Sequence, residues 1–415
     1  VQFGSLLRQT RKQRGLSQVE LGGDRYSGSY ISHLESGRRL ASPEVIEFLS
    51  RRLGVSPLEW GTSPAGDTRS AQFDGAVEDL LVAERAWSER DWGAAMTHSQ
   101  QAAESAAASG DSTRHWEALY VMAQARFSSG DYTGAAELAE QLAEHQTARR
   151  FAVARAQALS LASTASRASD RLGWSIAFGA RAVEAASAAP PIVLTEALMA
   201  LVGALGEAGH DLTEIRPLLE RLELLAPRLG SSHSRGTVTW TIGSALCMGG
   251  EVVSGVARHD SARELLDPKR DLRLWLRFHS VAARWRLNAG ITEGVPGLLQ
   301  TASFGLDIVG NVHDRAELRQ VEAMLALRTG VPAHAVELME GSLSDSEISD
   351  AGVARGASIG LLAHGLRALG REDEARRQYA LAANAFEDEG RLRAAIDAWR
   401  RSVGQTPLTE FLTMT

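Results

Sequence analysis

Ser29, Ser32 and His33 lie close together and are followed by Arg38 and Arg39. Hydroxyls and an imidazole about one helical turn apart can hydrogen-bond to base edges, and two arginines just beyond them can pair with phosphates. Gly28 heads the group, where a missing side chain lets a backbone come close. The side chains are short, and none is an arginine placed to grip a guanine with two bonds. The spacing therefore predicts modest reading of base edges, with much of the affinity coming from phosphates and duplex shape.

Two short helices joined by a tight turn, over Gly15–Arg39, would position these residues. Ser17 is a helix N-cap and Glu20 completes a capping box. Gly22-Gly23 ends that helix, and Ser27 or Ser29 caps the next, which runs to about Ser36 and stops at Gly37. Leu16, Leu21, Ile31 and Leu34 supply a small core. Residues 3–14 form an amphipathic helix with Phe3, Leu6 and Leu7 on one side and Arg8, Arg11, Lys12 and Arg14 on the other. Ser42-Pro43-Glu44 opens a further helix with Val45, Ile46, Phe48, Leu49 and Leu53 on its buried face, and a short helix over 57–60 follows. This head spans 1–61. Residues 62–72 read as a linker, because the Gly61–Ser70 stretch holds no large apolar anchor.

The chain has 415 residues and a net charge of −7. Residues 1–60 carry nine Lys or Arg and six Asp or Glu, so the head is +3 and the remainder −10. A basic head on an acidic body fits contact with DNA by the head alone. The only cysteine is Cys247, so neither an intrachain disulfide nor a cysteine-cluster metal site can form. The start of the sequence shows no charged-then-apolar leader, and no apolar run approaches the roughly 18 residues of a membrane span. These features predict a cytoplasmic protein without a membrane partner.

From residue 73 to 404 the pattern is helical and repeats. Breaks fall at Arg90-Asp91, Gly130-Asp131, Ser169-Asp170, Gly209-His210, Gly249-Gly250, Gly290, Gly330 and Gly370. The spacing suits about eight helix pairs plus a capping helix over Arg391–Val403, with a tail over 405–415 that has little to fix it. Small residues recur seven before and five after the breaks: Ala83 and Ala95, Ala123 and Ala135, Gly243 and Gly255, Ala323 and Ala335, Ala363 and Ala375. There the two helices of a hairpin cross most closely. The third and fourth repeats are degenerate, and Pro190-Pro191 marks a boundary between them.

Stacked helix pairs of this kind curve, and their first helices line a concave face. Repeat position places Trp87, Tyr120, Gln124, Phe127, Trp240, Arg277, Arg284, Asn288, Gln320 and Met324 on or near that face. Aromatic, amide and guanidinium groups are what an extended peptide needs for its side chains and backbone. No phosphate-loop, zinc-protease or nucleophile-elbow motif occurs, and the histidines are scattered, so no catalytic residue, metal site or cofactor is expected.

Leu16-Ser17-Gln18, Glu20-Leu21, Ser29-Tyr30-Ile31-Ser32, Leu34-Glu35 and Gly37, followed by Leu53-Gly54-Val55-Ser56, resemble the DNA-binding domain of the XRE family, the lambda-repressor-like regulators. The resemblance implies that Gln18 braces its helix against phosphate and a neighbouring base contact. It also implies a buried, structural salt bridge between Arg11 and Glu35. Gly130-Asp131-Tyr132 with Ala135, and Gly370 with Ala375, Tyr379, Ala382 and Phe386, resemble the tetratricopeptide repeat. The expected fold is thus all-α, a helix-turn-helix bundle followed by a tetratricopeptide-like α-solenoid. A head and body of these kinds resemble in architecture the RRNPP-type regulators, which respond to short secreted peptides.

The expected function is transcription regulation by a non-enzyme, a homodimer on a double-stranded DNA operator. Its repeats would dimerise, sense a peptide or small-molecule effector, or do both. The competing reading is a protein–protein interaction scaffold with the head as a tether.

Overall fold

A computed structural model describes residues 3–39, 41–55, 65–350 and 355–405. Among these, every regular element is helical. The contacts divide the chain into two units, residues 1–85 with 97–118, and residues 86–96 with 119–415.

The first unit begins with α1 (Phe3–Gln13), α2 (Gln18–Gly22), α3 (Gly28–Glu35) and α4 (Pro43–Leu53). Ser17 and Glu20 form the expected capping box on α2, with the Glu20 amide donating to Ser17 Oγ at 3.1 Å and the Ser17 amide to Glu20 Oε2 at 2.7 Å. Ser27 rather than Ser29 caps α3, which leaves the Ser29 hydroxyl outward. Ser42 precedes α4 without a side-chain capping bond. Leu7, Leu21, Ile31, Leu34, Val45, Leu49 and Leu53 close into one buried cluster, with Leu16 only partly covered. The helix expected over 57–60 lies outside the described residues.

The chain resumes with α5 (Ala65–Ser88), α6 (Trp92–Ser109) and α7 (Ser112–Ser129). Residues 65–72, read as linker from their composition, therefore lie in a helix; small and polar residues are compatible with either state. The second unit continues through α8 (Tyr132–Glu144), α9 (Gln146–Arg150), α10 (Ala152–Ala168), α11 (Leu172–Ala185), α12 (Pro191–Glu207) and α13 (Leu212–Leu225). After these come α14 (Ser232–Met248), α15 (Val252–Leu265), α16 (Leu272–Asn288), α17 (Val295–Val309), α18 (Val312–Arg328) and α19 (Pro332–Ser344). The last helices are α20 (Ser346–Asp350), α21 (Arg355–Ala368), α22 (Glu372–Asp388) and α23 (Leu392–Ser402). The tail from 406 onward lies outside the described residues.

Each break has a backbone cause. Gly130, Gly209, Gly250, Gly290, Gly330 and Gly370 all have positive φ, and at the two breaks without a suitable glycine Arg90 and Asp170 take that conformation instead. In the second unit the small pairs of the hairpins, such as Ala123 with Ala135 and Ala323 with Ala335, are fully buried. The hairpin at Asp170, degenerate in sequence, fills the same two positions with Ser163 and Ser175. Each hydroxyl donates to the other's carbonyl at 2.8 Å. At the Gly249-Gly250 break the crossing joins Gly243 and Gly255, where a Cβ on Gly255 would stand 2.6 Å from the Gly243 carbonyl oxygen.

Gly255→Ala should therefore lower stability by about 1–3 kcal/mol through overpacking against backbone. Gly341→Ala, on α19 with open space around it, should raise it by about 0.5–1 kcal/mol. The midpoint of urea unfolding measures both, and opposite shifts are expected.

Candidate functional site

The head is organised around the Glu35 carboxylate at the end of α3. Arg11 on α1 reaches it with Nε at 2.5 Å from Oε1 and a second nitrogen at 3.0 Å from Oε2. Arg11 also donates to the Leu16 carbonyl at 2.7 Å. Gln18, the first residue of α2, gives its side-chain N–H to Glu35 Oε2 at 2.9 Å. One carboxylate therefore ties three helices together. Burial pushes its pKa up, but the hydrogen bonds from Arg11 and Gln18 outweigh this and hold it below the usual carboxylate range.

This clamp fixes the face of α3 that looks outward. Ile31 and Leu34 turn into the core, Ser29 and His33 are exposed, and Ser32 is half-buried. Arg38 and Arg39 follow, both exposed. The Arg39 guanidinium lies over the Tyr30 ring at 4.8 Å, and Tyr30 stacks on Tyr26, which meets Phe48 edge-on. Gly28 also has a role within the head. A Cβ there would stand 2.8 Å from Val19 Cγ2, so the glycine lets α2 and α3 approach each other. Gln18 likewise gives one amide N–H to Glu35, which leaves its second N–H and its carbonyl oxygen. Val19, 68 % exposed beside this face, carried no sequence signal.

The second unit contains a polar cavity of about 420 Å³. Its wall includes Arg167, Arg277 and Arg391, the acids Asp131, Asp170, Glu207 and Glu317, and the rings of Phe127, Tyr132 and His313. Contacts between residues far apart in sequence build it. Both Arg391 Nε and a terminal nitrogen donate to Asp170 Oδ1, at 3.2 and 2.7 Å. Asn311 donates to the Tyr132 hydroxyl at 3.2 Å, and Arg273 spans Asp314 at 2.6 Å and the Ser128 carbonyl at 3.3 Å. His313 packs on Tyr132 with ring centres 4.4 Å apart. Burial opposes the charge on Asp314, but Arg277 and Arg273 hold its carboxyl below the ordinary range. The site can therefore take a ligand that offers charged or hydrogen-bonding groups beside an aromatic edge.

Of the groove residues expected from repeat position, Phe127 and Arg277 meet in this cavity. Arg277 Nε also stands 3.0 Å from Asp314 Oδ1. Met324 and Gln320 are corrected to the interior. Met324 belongs to the main hydrophobic cluster, and Gln320 donates to Ser358 Oγ at 3.0 Å. Trp240 packs edge-on against Phe278 beside that cluster. Tyr120 is half-buried, and burial drives its phenol pKa up. Gln124, Arg284 and Asn288 are half-buried away from the cavity wall, and Trp87 is exposed and edge-on to Trp92. Arg167, Asp170, Glu207 and Arg391 were missed because their pairings, Arg167 with Glu207 one repeat on and Arg391 with Asp170 221 residues away, leave no local signal.

A family described as a helix-turn-helix domain matches residues 2–60. A search of curated proteins returned no match. Among solved structures, a Rap protein complexed with competence and sporulation factor is similar at 9 % identity, covering 94 % of this chain and 100 % of that one, with a TM-score of 0.58. Bacillus thuringiensis PlcR in complex with the peptide PapR7 and DNA matches at 12 % identity over 78 % of this chain and 98 % of that one, with a TM-score of 0.33.

Glu35→Ala should cost about 3–5 kcal/mol within the head, because Arg11 is left buried without its partner. Hydrogen exchange of the α1–α3 amides should rise accordingly. Because folding lowers the Glu35 pKa, its contribution is present above the unfolded value of about 4.3 and is lost as pH falls through the lower folded value. Acid should therefore loosen the wild-type head in that window, while Glu35→Gln removes that component of the pH dependence.

Proposed function

We propose that this chain, a helix-turn-helix head followed by a tetratricopeptide-like solenoid, is a transcriptional regulator that binds an operator through α3 and carries an effector site in its repeats. The observation that carries the reading is the outward face of α3. Ser29 and His33 stand exposed on a helix clamped by Glu35, with Arg38 and Arg39 exposed just beyond it. Short polar side chains on a rigid helix read base edges weakly, so two copies on two half-sites are needed for useful affinity. The working form in this reading is a homodimer on double-stranded DNA.

For the repeats, the support is the charged cavity holding Phe127, Arg277 and Arg391. A small effector with carboxylate or amide groups, a short peptide among them, matches its chemistry. Such a ligand would alter DNA binding only through unequal affinity for two states of the protein. The similar Rap structure is complexed with competence and sporulation factor; for this chain the corresponding claim is a ligand in the cavity, resting on the cavity's own residues.

The test is selection of duplexes from a randomised pool by the full chain, followed by binding titrations at several salt concentrations. The double variant Arg38→Ala, Arg39→Ala should weaken all sequences alike and reduce the salt slope by about 1.8, for two lost phosphate contacts. Ser29→Ala or His33→Ala should instead relax preference at single positions, by about 1–3 kcal/mol where a base contact is lost. Failure to enrich any duplex at low salt would reject the reading and leave the interaction scaffold.

A further inference from the structure

Most charges at the cavity of the second unit are matched. Arg167 pairs with Glu207, and Arg391 with Asp170. Asp131 accepts the Gly134 amide at 2.9 Å and faces Arg126 at 3.9 Å. Elsewhere two arginines share one carboxylate. Asp314 Oδ2 accepts from Arg273 at 2.6 Å and from the Asn311 amide at 3.0 Å. Arg277 has only Oδ1 before it, 3.0 Å from its Nε, and that nitrogen makes no hydrogen bond. Among the described residues the Arg277 guanidinium donates no hydrogen bond at all, so its terminal nitrogens keep theirs to give.

Glu317 is the converse. It is half-buried in the cavity wall, on α18 with Asp314 and three residues further on. Among the described residues it has neither a hydrogen bond nor an ion pair. Residues three apart on a helix are neighbours, with Cβ atoms about 5–6 Å apart. Glu317 therefore stands one helical turn from the carboxylate that Arg277 faces. Burial opposes the charge on Arg277, but Asp314 and, next to it, Glu317 hold its pKa above the usual value. The two groups thus feel each other without meeting. Beside them runs an aromatic wall, in which the Tyr132 ring centre lies 5.1 Å from that of Phe127 and 4.4 Å from that of His313.

An unbonded cation and an unbonded anion on one cavity wall match a ligand that carries one charge of each sign close together. We infer that the cavity binds a free α-amino acid. Its carboxylate takes the terminal N–H groups of Arg277, its ammonium donates to Glu317, and its side chain lies along the three rings. A peptide separates its end charges by about 3.3–3.6 Å for every residue when extended, so a longer one cannot satisfy both groups at once. The inference rests on the reading of this cavity as an effector site and names the chemical class of the effector.

The test follows thermal unfolding of the full chain with each common amino acid in turn. At about 10 mM, at least one should raise the midpoint by about 2 °C or more. Titration of that amino acid, its N-acetyl derivative and its carboxamide should then show binding about tenfold weaker for either blocked form. Glu317→Gln should weaken the free amino acid until it binds no better than the N-acetyl form. Arg277→Gln should do the same for the free amino acid and its carboxamide. A blocked form that binds the wild-type chain as tightly as the free amino acid would overturn the inference. So would a tenfold preference that persists in the variants, because a merely steric penalty would survive the loss of charge. If no amino acid moves the midpoint but a mixed pool of short peptides does, the inference falls and the effector-site reading stands. If neither does, both fall.

Discussion

Two helices joined by a short turn can bury a common face only if their backbones approach closely, and the solenoid here depends on meeting that condition once per hairpin. In several hairpins the positions seven before and five after the turn are where it is met. Alanine pairs meet it at Ala123 with Ala135 and Ala323 with Ala335. Glycines meet it where α14 and α15 touch through Gly243 and Gly255. A serine pair meets it at Ser163 and Ser175, adding two hydrogen bonds that satisfy the hydroxyls it buries. At the Gly243–Gly255 crossing a larger side chain would meet backbone, and the hairpin would have to spread.

Regular stacking brings distant repeats together. Tyr132, at the start of α8, reaches Asn311 and His313 at the start of α18. Asp170, at the α10–α11 turn, reaches Arg391 at the α22–α23 turn. Such contacts place charges in a half-enclosed space where water screens them poorly, and the charges are accordingly arranged in opposing pairs. Asp314 shows the balance: almost fully buried, it stays ionised because two arginines face it.

The head solves a smaller problem by another route. A bundle of short helices has little apolar area, so a shared carboxylate supplements the Leu7, Leu21, Ile31 and Leu34 core. Glu35 joins α1, α2 and α3 through Arg11 and Gln18, and with them the orientation of Ser29 and His33. The resemblance to known regulators indicated the Arg11–Glu35 pair, but the amide of Gln18 turns out to close on Glu35 as well. Gly28 shows the same economy, its missing side chain making room for Val19.

By itself the sequence determined the helices, their caps and turns, the hairpin period and the helix-turn-helix. All of these are local: a capping box spans four residues, a turn needs one positive φ, and a hairpin crossing is marked by two small residues. It also singled out Phe127 and Arg277 among its candidates. Only the tertiary structure decided which of the candidates share a cavity, and it moved Gln320 and Met324 into the core. That outcome depends on contacts between distant hairpins, such as Asp170 with Arg391, 221 residues apart. No window of sequence contains both ends of that contact, so no periodicity could announce it.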